Sequence, residues 1–275
     1  MDAFESVARA LVANAGERLH AAWGETKVIE HKGVIDIVTE TDREIEALVT
    51  AELSRAFPDH LVIAEEASAG SELPRPVDES YVWYLDPLDG TTNFAHGYPQ
   101  FAVSLALARG RELLLGIVHD PVRNETFVGR RGGGATLNDK PIRVSVITDL
   151  DQALLGTGFP YDHREHIDFY LGFLADFMAR AQGVRRSGSA ALDLSYVACG
   201  RLDAFWEWKL KPWDTAAGAL ILEEAGGTIS DFCGERFDLY GHQTLASNGR
   251  LHAAMIKVLS ARLSEPVIAR QSRNQ

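Results

Sequence analysis

Residues 83–94, Trp-Tyr-Leu-Asp-Pro-Leu-Asp-Gly-Thr-Thr-Asn-Phe, limit what this chain can fold into more than any other stretch. Tyr81 to Leu85 are aromatic and β-branched residues, the composition of a strand. Asp86-Pro87 and Asp89-Gly90 are turn signals that break it. Two carboxylates, Asp86 and Asp89, thus stand where a buried strand meets a sharp turn, with the Leu88 carbonyl between them. Such a turn can aim both side chains at one hard cation. Gly90-Thr91-Thr92 then offers backbone N–H groups to an anion if a short helix begins there. A solvated Asx-turn closing a strand would carry the same residues, so partners elsewhere in the chain decide.

The chain has 275 residues, 46% of them hydrophobic, enough to bury a large core as one domain or two fused ones. Its net charge of −12 and lack of a basic run argue against nucleic acid as a main partner. An anionic substrate would need a cation to approach so acidic a protein. Cys199 and Cys233 form no CxxC and no disulfide framework, which fits a reducing cytosol. No apolar run approaches the ~20 residues of a spanning helix, and no signal segment opens the chain. The expectation is a cytoplasmic protein with no membrane partner.

Helical spacing of Phe4, Val7, Leu11, Val12, Ala15 and Leu19 predicts a helix over 2–23. Ile35–Val38 reads as a strand, and Thr41-Asp42-Arg43-Glu44 has capping-box spacing ahead of a helix that Pro58 stops. Leu61–Ala64 is a short strand running into Glu65-Glu66, and 67–80 is a polar loop. Phe101–Ala108 and Leu113–His119 read as a hairpin, with Glu125–Val128 and Ile142–Val146 continuing an antiparallel meander. The second half alternates: a strand at 154–156, helices over 164–182 and 190–199, and a strand at 202–208. A helix over 214–224, strands near 228–231 and 245–247, and a helix over 251–263 follow. The halves meet near 145–150, giving an N-terminal α+β unit at 1–146, a C-terminal α/β unit at 147–265 and a frayed tail at 266–275.

Four acids stand at element ends: Glu65, Asp86, Asp89 and Asp214, the last in Trp213-Asp214-Thr215-Ala216-Ala217-Gly218. Singly, Asp214 reads as an N-cap and Glu65-Glu66 as a solvated pair. Clustered, they would repel unless cations compensate, and an oxygen-only set without His or Cys suits Mg²⁺.

Three separated motifs resemble the inositol monophosphatase family: Ala64-Glu65-Glu66, Asp86 to Phe94, and Trp213 to Gly218 with Glu224-Ala225-Gly226-Gly227. Ile35 to Asp42 is similar to a further family segment, and the match runs in order to about residue 260. The resemblance implies a layered α-β-α-β-α sandwich of the inositol monophosphatase/fructose-1,6-bisphosphatase type, with the site between an antiparallel half and an α/β half. It implies about two or three Mg²⁺ ions per site, held by Glu65, Asp86, Asp89, Asp214 and the Leu88 carbonyl. Thr91 would pair with Asp42 and, with Glu65, help activate water. The N–H groups of Gly90 and Thr91 would hold phosphate beside Asp89 and Asp214. Gly188, Ser189, Ala190 and Glu207 match positions that meet the alcohol. Asp42 also has a plain role open to it, as negative charge at a helix N-terminus.

The implied activity is Mg²⁺-dependent hydrolysis of a phosphate monoester, first of all inositol monophosphate. Histidinol phosphate and 3′-phosphoadenosine 5′-phosphate are rival substrates, and a metal-binding regulatory protein of weak activity is the alternative of another class. A homodimer and lithium sensitivity follow from the resemblance as well. The family lysine upstream of Asp36 has two candidates here, His31 and Lys32, and Pro212 stands where some relatives carry Cys. Lys209 and Lys211 could touch phosphate or sit in a solvated loop.

Overall fold

The computed structural model of the chain describes residues 1–25, 29–31, 37–76 and 79–263. The first half supplies α1 (Asp2–Ala22), the two-stranded β1 (Ile29–His31) and β2 (Ile37–Thr39), α2 (Glu40–Ala56) and β3 (Leu61–Ala64). β4 (Tyr81–Asp89) and α3 (Thr91–Ala95) follow, then β5 (Ala102–Arg109), β6 (Glu112–Asp120), β7 (Glu125–Arg130), β8 (Gly134–Leu137) and β9 (Lys140–Pro141). The second half adds β10 (Leu154–Thr157), α4 (Ile167–Met178), β11 (Gly183–Arg185), α5 (Ala190–Ala198) and β12 (Ala204–Trp208). It ends with α6 (Pro212–Glu224), β13 (Thr228–Ser230), β14 (Gln243–Ser247) and α7 (His252–Leu263).

Alternation along β4 sets the layering. Val82 and Tyr84 enter one core with α5 and α6, while Trp83 and Leu85 enter another with α1 and α2. β12 does the same: Phe205 joins the α5/α6 core, and Ala204, Trp206 and Trp208 face the core that takes in α4 and α7. The layers are therefore α1/α2, a sheet ordered β3-β4-β5-β6-β7-β8-β9, α5/α6, a sheet ordered β11-β10-β12-β14-β13, and α4/α7. The α-β-α-β-α order implied by resemblance is the observed one. In the first sheet every pair is antiparallel except β3 with β4; the second is mixed, with β10 parallel to both β11 and β12.

Four sequence expectations are corrected. β4 does not break at Asp86 but runs on to Asp89, with a register shift against β5 between these two acids. A bulge absorbs Pro87, which has no N–H to give a ladder. The meander is continued by Gly134–Leu137 rather than by 142–146. Segment 142–146 crosses between the halves, with Val144 N–H donating to the Ala225 carbonyl and Ser145 bonded to Asp203. The α2 capping box uses Thr39 and Asp42, two residues ahead of the expected frame. The helix expected over 164–182 is shorter at both ends, because 161–166 form turns and 183–185 pair with β10. Ile35, Asp36, Lys32 and the tail lie outside the described residues, as does the His31 side chain.

Candidate active site

A cavity of about 780 Å³ opens between the sheets. Its first wall carries Glu65, the 68–73 loop and Asp86 to Thr92; its second carries 158–162, 186–190 and the end of β12 with the start of α6. The structure thus places Glu65, Asp86, Leu88, Asp89, Gly90, Thr91, Gly188, Ser189, Ala190, Glu207 and Asp214 around one space. Asp42 lies just behind, through Thr91.

The β4 bulge turns Asp86 and Asp89 inward, both buried. Asp86 Oδ1 accepts the Leu88 N–H at 2.9 Å. Asp89 Oδ2 accepts Ser189 Oγ at 2.6 Å and the Ala191 N–H at 2.8 Å, tying the end of β4 to the start of α5. Asp214 is the third residue of α6, and its Oδ2 takes the Lys211 N–H at 2.7 Å, so it caps the helix from within rather than as N-cap. Burial, and after it the negative charge of Glu65, Asp89 and Asp214, pushes the Asp86 carboxyl well above the ordinary range. Burial, then Glu65 and Asp89, does the same to Asp214. Asp89 is pushed up to about 6 by burial, moderated by its Ser189 and Ala191 bonds.

Acids that raise one another's pKa need a cation to be ionised together at neutral pH. Every charged group of this wall donates oxygen, and no histidine or cysteine lines the cavity among the described residues. That chemistry fits a hard divalent ion. The acids ring the space: among the described residues no three acidic, histidine or cysteine side chains close on one point.

Gly90, at φ 98°, is the N-cap of the short α3. A Cβ there would stand 2.9 Å from the Gln100 carbonyl, so the turn admits only glycine. Thr91 Oγ1 lies 3.0 Å from both Asp42 Oδ1 and the Leu88 carbonyl. One hydroxyl proton serves these two acceptors, leaving the oxygen's lone pairs for a donor from the cavity. Asp42 is held from its other oxygen, Oδ2, which accepts the Thr39 N–H at 2.9 Å and the Thr39 hydroxyl. Helix capping and the bond to Thr91 are thus two ends of one carboxylate.

On the second wall, burial raises the Glu207 carboxyl well above its usual range, helped by Asp193, Asp214 and Asp89 and opposed by Arg186. Gly158 makes room for it: a Cβ at Gly158 would lie 2.1 Å from Glu207 Oε2. Ser189 is buried and gives its hydroxyl to Asp89, so its side chain reaches the site through that acid. Lys209 and Lys211 both line the cavity, and Lys209 Nζ is paired with Asp162 at 2.6 Å.

Sequence reasoning missed several supports. The Glu46 carboxylate, on α2, accepts the N–H groups of Glu66 and Ala67 at 2.7 Å each and holds the turn that bears Glu65. Asn93 Nδ2 donates to the carbonyls of Gln100 (2.7 Å) and Ser187 (2.9 Å), binding α3 to the 187–190 segment. Buried Asp193 takes the Ser187 hydroxyl from below. Glu46 could be flagged in advance as an acid on the apolar face of α2; the others depend on contacts too distant in sequence to read.

The Inositol monophosphatase family model matches residues 1–264. The chain is 43% identical to an inositol-1-monophosphatase of Synechocystis over 256 residues, 93% of this chain and 88% of that protein. It is 42% identical to the Nus factor SuhB of Pseudomonas aeruginosa over 254 residues, 91% and 93% of the two chains. The solved inositol monophosphatase of Anabaena (Nostoc) superposes with a TM-score of 0.82 at 39% identity, covering 94% of this chain and 95% of that one. With fold, motif order and full-length likeness in agreement, the chain belongs to the inositol monophosphatase family.

Proposed function

We propose that this protein hydrolyses phosphate monoesters of small alcohols with Mg²⁺, and that myo-inositol monophosphate is its first substrate to test. The observation that carries the reading is the ring of Glu65, Asp86, Asp89 and Asp214, acids whose mutual repulsion a cation would relieve. In this reading those four side chains and the Leu88 carbonyl hold the metal. Divalent ions supply charge neutralisation of the phosphate dianion, a lowered pKa for water and stabilisation of the leaving alkoxide. Thr91 and Glu65 orient the attacking water. Thr91 does so by accepting its hydrogen while its own proton is committed to Asp42 or Leu88. The N–H groups of Gly90 and Thr91, at the first turn of α3, face the phosphate. Glu207 takes hydroxyls of the alcohol beside Gly188, Ser189 and Ala190. Phosphoryl transfer demands mainly position and charge compensation, which suits a wall of acids loaded with metal.

The test is phosphate release from myo-inositol 1-phosphate, histidinol phosphate and 3′-phosphoadenosine 5′-phosphate, with and without Mg²⁺. Asp89→Asn should abolish turnover, and no release from any ester would overturn the reading. A homodimer and inhibition by lithium belong to the same proposal, read by sedimentation and by Li⁺ titration.

A second reading, as a Nus factor, has support in relatives of equal likeness: the P. aeruginosa protein at 42% and a putative Nus factor SuhB of Neisseria meningitidis at 41%. For that reason a nucleic-acid partner is not excluded on the net charge of −12. Calorimetry showing Mg²⁺ binding without hydrolysis of any ester would favour this second role.

A further inference from the structure

The segment from Glu65 to Arg75 leaves β3 and forms an outer wall of the cavity through Ser68, Gly70, Ser71 and Leu73. Glu46 fixes its beginning, through the Glu66 and Ala67 N–H groups. Its far end is fixed by Tyr240, which belongs to the other half of the chain. Tyr240 Oη donates to the Pro74 carbonyl at 2.9 Å, and Arg75 Nη2 donates to the Tyr240 carbonyl at 3.4 Å. The Arg75 guanidinium stands 5.1 Å from the centroid of the Tyr240 ring, with Nη1 3.7 Å from Asp238.

Tyr84 Oη lies 3.1 Å from Tyr240 Oη. The one proton of Tyr240 goes to a carbonyl that can only accept, so Tyr84 is the donor. The chain of bonds has one direction, Tyr84 to Tyr240 to Pro74, and starts on β4 two residues before Asp86. The same turn grips the opposite wall: the His242 carbonyl accepts the Lys209 N–H at 2.7 Å, two residues beyond Glu207. Lys209 holds a φ of 61°, a conformation that a non-glycine residue keeps only when its surroundings impose it.

We propose that Tyr240 is a positioning residue that clasps the Glu65–Arg75 segment to the second half and so sets the width of the alcohol end of the site. It lines an adjoining groove and not the cavity, which gives it no part in the chemistry. The proposal rests on the phosphatase reading for its kinetic consequence, but the clasp itself is testable without turnover. Loss of the clasp releases the Pro74 end while Glu46 still holds the Glu65 end. Binding of the alcohol should suffer, and the chemical step should not.

The experiment compares Tyr240→Phe, Tyr240→Ala and Arg75→Ala with wild type in the full chain. Hydrogen exchange of amides 67–75 and steady-state kinetics on myo-inositol 1-phosphate are measured, with inorganic phosphate as inhibitor. Tyr240→Phe keeps the ring under Arg75 and loses only the hydroxyl. Of its two bonds only that to Pro74 reaches the segment, and this one net hydrogen bond predicts a rise of about threefold to tenfold in KM and in the exchange rate of 67–75. kcat should stay within about twofold and phosphate inhibition should not move, since a lost uniform contact leaves kcat alone. Tyr240→Ala should exceed Tyr240→Phe, and exposed Arg75→Ala should follow it without threat to the fold. Wild-type exchange and KM in Tyr240→Ala would overturn the proposal, as would a fall in kcat accompanied by weaker phosphate inhibition. If wild type hydrolyses no ester, the phosphatase reading fails and the exchange data alone decide the clasp.

Discussion

Gly116→Ala tests how the two halves are brought together. Gly116 lies in β6, and a Cβ there would stand 2.6 Å from the Ala217 carbonyl oxygen and 2.9 Å from Ala217 Cα. Ala217 is in α6, three residues beyond Asp214. Restoring 2.6 Å to the 3.4 Å of ordinary contact requires about 0.8 Å of retreat, and the atoms in the way are main chain. Gly129 on β7 holds α6 in the same manner, at 2.8 Å from Ile221 Cα. The helix therefore moves as a unit or strains, and Asp214 moves with it. Overpacking of this size costs about 1–3 kcal/mol, opposed by the roughly 0.5–1 kcal/mol that alanine gains over glycine in a strand. We expect a net loss of about 1–2 kcal/mol in urea unfolding followed by tryptophan fluorescence. If Asp214 holds metal as proposed, a shift near 1 Å there also predicts a loss of about 10²-fold in kcat/KM on the same protein. Adding Ala217→Gly should not rescue it, because removing that methyl group leaves the carbonyl and Cα where they are. A Gly116→Ala protein as stable and as active as wild type would refute the reasoning.

Gly158→Ala, whose methyl group collides with the Glu207 carboxylate, should raise KM for inositol monophosphate about tenfold or more with little change in phosphate inhibition; equal changes in both would count against the assignment of Glu207. Glu46→Ala strands two N–H groups and should cost about 2–4 kcal/mol, with Glu46→Gln recovering part of it in the same melts. Asp193, buried and raised from 3.8 to about 8 by its desolvation, holds a proton in the fold that the unfolded chain releases. Wild-type stability from this group is therefore greatest below pH 3.8 and declines as pH climbs to about 8. The decline is bounded at about 6 kcal/mol, so Asp193→Asn should gain on wild type between pH 5 and about 9; parallel urea midpoints across that range would refute it.

What the sequence disclosed divides along the range of the interaction. Asp86, Asp89 and Gly90 were legible because turn chemistry is local, although Asp86 opens a bulge inside β4 and only Asp89 stands at the strand end. Ile142 to Val146 alternate as a strand does, yet Ile142 and Val144 pack on the α5/α6 core, Val146 is exposed, and the main chain bridges to Ala225. Alternation reports a buried face and an exposed one, and an extended connector has both. β8, Gly-Ala-Thr-Leu, took the place beside β7 because the glycine turn before it delivered it there, and β9 forms the edge.

Asp42 shows why local pattern alone could not place the site. Thr41-x-x-Glu44 and Thr39-x-x-Asp42 are overlapping frames, and the first has the better capping-box residues. The second is chosen because Asp42 has a further partner, Thr91, 49 residues away. Starting α2 two residues earlier turns Asp42 inward, where one oxygen caps the helix and the other meets the Thr91 hydroxyl. In the frame read from sequence, Asp42 is an ordinary first-turn acid, and Thr91 has only the Leu88 carbonyl for its proton. The helix start and the Thr91 hydroxyl are therefore fixed by the same carboxylate, and neither could be placed without the other.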